Sequence, residues 1–161
     1  MTPESIRLSP VLPEQLDQLM PLVAAFYAHF GYSYDNERKR SLLETFLNDD
    51  NTGRLWFIIK GQTPVGYLLM AFSFSLEMEG RIAFVDELFI APQGRSKGAG
   101  AWALAEAEAA CRELGVRTLR LEAEADNLRA TALYLRQGYG DLGRRLLSKS
   151  LDHPNDQQEG I

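Results

Sequence analysis

The residues with the clearest chemical potential lie in "LFIAPQGRSKGAGAWALAEAEAACRELG", residues 88–115. A short apolar run ends at a proline, and Arg95, Lys97, Gly98 and Gly100 then precede an alanine-rich helix. The first four backbone N–H groups of a helix have no partner inside it, and the helix dipole adds partial positive charge at that end. A strand feeding directly into such a helix makes an anion pocket. Glycine lets the backbone approach a ligand with no Cβ in the way. The combination suits a phosphate or pyrophosphate, although glycines in an ordinary turn beside solvated cations have the same composition. Two well-known phosphate signatures are absent. There is no G-x-x-x-x-G-K-[ST], and Gly94, Gly98 and Gly100 run G-x-x-x-G-x-G instead of G-x-G-x-x-G.

Other residue types invite chemistry as well. Asp86 and Glu87 are adjacent on a predicted strand, where strict alternation sends them to opposite faces. One of them would then face a cleft as a base, or carry only surface charge. His29, Tyr32 and Tyr34 stand in "AFYAHFGYSYD" near a helix end and are pocket candidates, whereas Phe26 and Phe30 suit packing on a sheet. Cys111 continues the stripe of Ala101, Leu104 and Ala107, so it reads as a core residue and not as a nucleophile. A single cysteine excludes an internal disulfide and a cysteine-rich metal site, and the other histidine, His153, lies in the polar tail, so no metal is assigned.

These residues need elements to hold them. "SIRLSP" (5–10) predicts a short strand stopped by Pro10. A helix runs from Pro13 to Gly31, with Leu16, Leu19, Leu22, Val23 and Phe26 at helical spacing. A second helix covers about 36–48. Strands at 54–60 and 65–76 flank a turn at 61–64, and a long strand covers 81–90. A helix at about 98–114 is stopped by Gly115. A strand at 116–125, a helix at 127–140 ended by Gly138, and a last strand at 142–151 complete the chain. Hairpins before the long strand and strand–helix–strand after it predict an α/β (α+β) fold, a mixed central sheet with helices on both faces. The 161 residues, 45% of them hydrophobic and 24% charged, fit one globular domain. A formal charge of −5 argues against a nucleic-acid binder and mildly favours a cationic substrate. No apolar run is long enough to span a bilayer and no signal-peptide pattern opens the chain, so a cytoplasmic location is expected.

"ELFIAPQGRSKGAGAWAL" resembles the central motif of the GNAT superfamily of N-acetyltransferases. There a strand ending in hydrophobic–x–Pro leads into R/Q-x-x-G-x-G/A at a helix start, the places held here by Arg95, Gly98 and Gly100. "ADNLRATALYLRQGYG" resembles the family's N-x-x-A-x-x-x-Y-x-x-x-G-F/Y segment, with Asn127, Tyr134, Gly138 and Tyr139 in place. The likeness covers about 81–140, and the N-terminal third agrees in element order. Ser96 stands where glycine is frequent, and Tyr139 replaces the usual Phe.

The resemblance implies a single GNAT-like domain over 1–151, a frayed polar tail over 152–161, and acetyl-CoA as acyl donor. Arg95, Ser96, Lys97, Gly98, Ala99, Gly100 and Ala101 would hold its pyrophosphate, chiefly through backbone amides. Leu88, Phe89 and Ile90 would pair their backbone with the pantetheine arm as an added strand would. Asn127 and Tyr134 would also touch the coenzyme. An alkylamine, of pKa about 10.4, arrives mainly as an ammonium and must lose a proton; Glu87 is the candidate base. A backbone N–H near Phe89 or Ile90 would stabilise the oxyanion. Tyr134 matches the family's general acid for the leaving thiolate. His29, Tyr32 and Tyr34 are the candidate acceptor pocket. The family's usual route is direct attack in a ternary complex.

Each role has a plainer alternative. Tyr134 sits beside Leu133 and Leu135 and could simply pack, Asn127 could be only an N-cap, and Glu87 could belong to a salt bridge. The acceptor class is a small-molecule or peptide amine, with neither nucleic acid nor membrane expected as partner and a homodimer left open. Two rivals are a non-catalytic acyl-CoA-binding module and a dinucleotide enzyme. Glu122 and Glu124 lie at a suitable distance from Gly100 for the latter, but the glycine order and the upstream hairpins argue against it.

Overall fold

Alternate residues of one strand already show the two-sided plan. Along β2, Gly53–Lys60, the side chains of Leu55, Phe57 and Ile59 enter one buried layer, while Trp56 and Ile58 enter the layers on the other side. A strand apolar on both faces must be covered on both, and it is. The computed structural model describes residues 5–95 and 98–152. Its five strands form one sheet in chain order: β1 (Ile6–Pro10), β2, β3 (Thr63–Ser75), β4 (Gly80–Ile90) and β5 (Thr118–Leu121). The first four are antiparallel neighbours, and β5 joins β4 in parallel, so the sheet is mixed as expected.

Helices α1 (Leu16–Phe30) and α2 (Asn36–Leu47) cover one face, with Leu16, Leu19, Leu22, Val23 and Phe26 buried against Leu55, Phe57, Tyr67 and Phe89. Gly31 ends α1 in the left-handed conformation, its N–H bonded to the Ala28 carbonyl. Asp35 caps α2 by accepting from the Arg38 amide at 3.0 Å. Helices α3 (Ala99–Glu113) and α4 (Leu128–Arg136) take the other face, where Leu104, Ala107 and Cys111 pack on Trp56, Leu68, Met70 and Ala83. Among the described residues no helix is long and apolar enough to cross a membrane.

Two predicted strands differ. β5 holds four residues instead of the span 116–125, because its parallel ladder with β4 ends at Val85↔Leu121. Residues 142–151 form no strand; Leu142, Leu146, Leu147 and Leu151 are exposed. The physical reason lies in the doublets Arg144–Arg145 and Leu146–Leu147. With a period of two, each face of such a strand would carry one arginine and one leucine of these pairs, so neither face is apolar.

Candidate active site

β4 is paired with β3 along its whole length, but with β5 only from Ile82 to Val85. Beyond that point the edge of β4 from Asp86 to Ile90 has no strand partner among the described residues. The parting coincides with a bulge. Leu69 faces Glu87 and Met70 faces Val85, so Asp86 is an extra residue on β4. Bulges bend the strand and re-aim side chains.

The open edge runs into a short 3-10 turn, Pro92–Gly94, and then toward α3. Gly98 precedes the helix at φ +91°, a region that a side chain makes costly. The first amides of α3 have no partner inside the helix. Arg95 bends back, its Nε donating to the Ile90 carbonyl at 3.0 Å. A recess of about 240 Å³ lies here, lined by His29, Phe30, Leu88, Phe89, Ile90, Arg95 and Gly100. Six sequence-predicted site residues from α1, β4, the turn after it and α3 thus meet in one hollow. Ala99 opens α3 buried, and Ala101 is half-buried in its first turn. Ser96 and Lys97 lie outside the described residues. A larger hollow of about 430 Å³ sits beside the C-terminal end of α3, lined by Val11, Trp56 and Leu114 among others, and holds none of the predicted site residues.

Glu87 is gripped from two directions. Tyr27 of α1 donates its hydroxyl to Oε1 at 2.7 Å, and Tyr67 of β3 donates to Oε2 at 2.9 Å. Burial raises the Glu87 carboxyl above the ordinary range; the two hydroxyls and the charge of Lys39 pull the other way, and Asp86 adds to the rise. Both tyrosines are in turn pushed well up by their own burial and by the carboxylate they face, so they remain phenols. Asp86, also raised by partial burial, feels the same Lys39 ammonium. Asp86 and Glu87 meet at the bulge, where Glu87 is hydrogen-bonded to Tyr27 and Tyr67 and Asp86 acts on both tyrosines through its charge. Tyr27 belongs to the ring residues of "AFYAHFGYSYD" that were pocket candidates, whereas Tyr67 and Lys39 carry no local signal in the sequence.

Around Tyr27 the aromatic cluster closes. Its ring lies 6.0 Å from Tyr32 and 5.6 Å from Tyr34, and Tyr32 stacks on Phe30 at 5.5 Å. Tyr34 donates to Asn36 Oδ1 at 2.7 Å, and the Tyr32 hydroxyl lies 3.5 Å from Glu124 Oε1. Phe26 is core, as expected, while Phe30 is substantially exposed and lines the recess.

Tyr134 stands on the other face of the sheet from Glu87. It is half-buried against the layer of Trp56, Leu68 and Leu104, burial raises its phenol, and its ring meets Tyr139 edge-on at 6.1 Å. A Cβ on Gly100 would come within 3.7 Å of Leu133, so α4 is packed beside the first turn of α3. Asn127 caps α4 by accepting from the Ala130 amide at 3.1 Å. Cys111 is buried 3.4 Å from the Met70 sulfur, and burial pushes its thiol up to about 11, which suits a core residue.

The profile of the Acetyltransferase (GNAT) family matches residues 17–139. Over 75 residues the chain is 33% identical to the uncharacterized N-acetyltransferase YhfO of Bacillus subtilis (strain 168), a match covering 47% of this chain and 50% of that protein. The chain thus spans about half the length of this curated relative. Integron cassette protein HFX_CASS3, from the mobile metagenome of Cole Harbour Salt Marsh, is 32% identical with a TM-score of 0.80, covering 92% of this chain and 91% of its own. A possible acetyltransferase from Clostridium difficile 630 has the same fold at 15% identity, with a TM-score of 0.80, over 92% of this chain and 99% of its own.

Proposed function

The chain belongs to the GNAT acetyltransferase family, and on that premise we propose that it transfers an acetyl group from acetyl-CoA to an amine in one ternary complex. The observation that carries the proposal is the β4 edge at 86–90, which has no strand partner among the described residues and leads to the start of α3. That edge suits an extended amide-bearing arm, which would add to the sheet as one more strand. The free amides after Gly98 suit a pyrophosphate. The donor supplies an activated acetyl thioester.

The remaining work belongs to side chains and backbone. Glu87, raised by burial yet held as a carboxylate by two hydroxyls, is the group to take the ammonium's proton, directly or through water. Its donors fix its orientation, because each oxygen already accepts one hydrogen bond. A backbone N–H of Phe89 or Ile90 would meet the charge that develops on the carbonyl oxygen. Tyr134 would return a proton to the sulfur from the opposite face, a division that keeps acid and base apart. The acceptor enters over His29, Tyr32 and Tyr34. Asn127 serves α4 as its cap, holding Tyr134 in place from a distance of two turns.

Replacing Tyr134 by Phe tests the chemistry separately from binding. We expect kcat to fall about 10²-fold while the dissociation constant for coenzyme A changes less than about twofold. Unchanged turnover with a panel of amines would remove Tyr134 from the mechanism, and coenzyme A failing to bind calorimetrically would remove the proposal itself.

A further inference from the structure

The larger hollow, of about 430 Å³, holds no residue given a part in acetyl transfer. α3 starts at the small recess and ends at this hollow, a run of 15 residues and so of about 22 Å. Val11, Leu55 and Trp56 line it from buried positions, and Phe46 adds a ring from α2. Its charged lining is Asp49, Asp50, Glu113 and Arg54. Arg54 is engaged elsewhere: its guanidinium donates to the carbonyls of Asp50 and Gly53 and lies 5.2 Å from the centre of the Phe72 ring. Among the described residues no ion pair holds any of the three carboxylates. α2 and α3 both end here, which adds the partial negative charge of their last carbonyls. The last turn of α2 has no basic residue, and Arg112 in that of α3 is paired with Glu108.

We propose that this hollow is a second binding site, for a small organic cation with an apolar body. The body rests on Leu55, Trp56 and Phe46, and the ammonium stays at the mouth among Asp49, Asp50 and Glu113. The volume is that of a small-molecule site, and an apolar lining with a few charged groups at one side suits an amphiphilic ligand. Burying the body removes apolar surface from water. The three carboxylates then decide the sign of the charge: they favour a cation, oppose an anion and give a neutral molecule nothing. The small recess has the opposite character, because its lining holds Arg95 and no carboxylate. One ligand therefore does not suit both hollows. The inference stands whether or not the acetyltransfer reading does.

Benzyltrimethylammonium, benzyl alcohol and phenylacetate share a phenyl body and differ in charge. The first has no N–H to exchange for an acetyl group, so its binding is read apart from turnover. Titrated calorimetrically into the full chain, it should bind about fivefold more tightly than benzyl alcohol, and phenylacetate should bind weakest. The indole N–H resonance of Trp56 should move on titration, and that of Trp102, which does not line the hollow, should stay. Asp50→Asn combined with Glu113→Gln should weaken the cation about tenfold and leave benzyl alcohol within about twofold. Both side chains are exposed and their amides are isosteric, and an unchanged thermal midpoint checks the fold. Glu124→Gln, beside Tyr32, should leave the cation's affinity as it is. Equal affinities for the three probes, or no binding by any, would overturn the proposal. So would a loss confined to Glu124→Gln, which would put the cation among the tyrosines. A dimer in sedimentation that excludes the cation would assign the hollow to a second copy of the chain and overturn it too.

Discussion

Glu87, the proposed base, stands on β4 just past the point where its ladder with β5 ends. Desolvation alone would leave it protonated too often, and hydroxyl donors alone would leave it too weak a base. The structure combines the two: burial raises the carboxyl, and Tyr27 and Tyr67 hold the rise in check. The rate should increase with pH as Glu87 loses its proton, so the acid limb of kcat/KM belongs above the ordinary glutamate range. Removing one donor destabilises the carboxylate and raises the group further. Tyr27→Phe should therefore move the acid limb to higher pH, which a pH profile of kcat/KM measures; a limb that stayed in place would separate Tyr27 from the base. Neither tyrosine was legible as a partner of Glu87, since they lie 60 and 20 residues away in sequence. Only the packing of α1 across β3 and β4 brings the three together.

The turn into α3 was the most legible element, because its signal is local. Gly98 at φ +91° has open space where a Cβ would lie, so the cost of a side chain there is conformational and not steric. Gly98→Ala should destabilise by about 1 kcal/mol and weaken coenzyme A binding more than it weakens acceptor binding. Chemical denaturation together with calorimetry distinguishes the two effects; coenzyme affinity untouched by a strained turn would mean that these amides do not hold the phosphates. The bulge at Asp86 was not legible. Alternation is a rule about regular strands, and one inserted residue inverts it for everything on one side. The absence of a strand at 142–151 could have been read from the doublets of arginine and leucine, which deny either face an apolar stripe.

At the scale of the whole molecule, the sheet separates the proposed acid from the proposed base. Glu87 lies on the α1–α2 side and Tyr134 on the α3–α4 side, and the unpaired part of β4 lies between. The formal charge of −5 gains a local meaning where Asp86 and Glu87 act on Tyr27, Glu124 on Tyr32 and Asp35 on Tyr34, a rim of charge around three neighbouring tyrosine rings. Added salt screens such a field, with a Debye length of about 8 Å at physiological ionic strength. The KM of a cationic amine should thus rise between low and high salt, while that of hydroxylamine, which is neutral near pH 7, stays nearly constant. Steady-state kinetics at two ionic strengths reads the difference, and equal responses would show that the rim charge does not steer the acceptor. By itself the sequence determined the order of elements as far as α4, the glycine turn and the family, because each is written in neighbouring residues through periodicity and backbone preference. The tertiary structure alone decided that β4 parts from β5 at Val85, that two distant tyrosines clasp Glu87, and that Lys39 rests on Tyr27. Those contacts arise from packing between elements, whose relative placement no local pattern encodes.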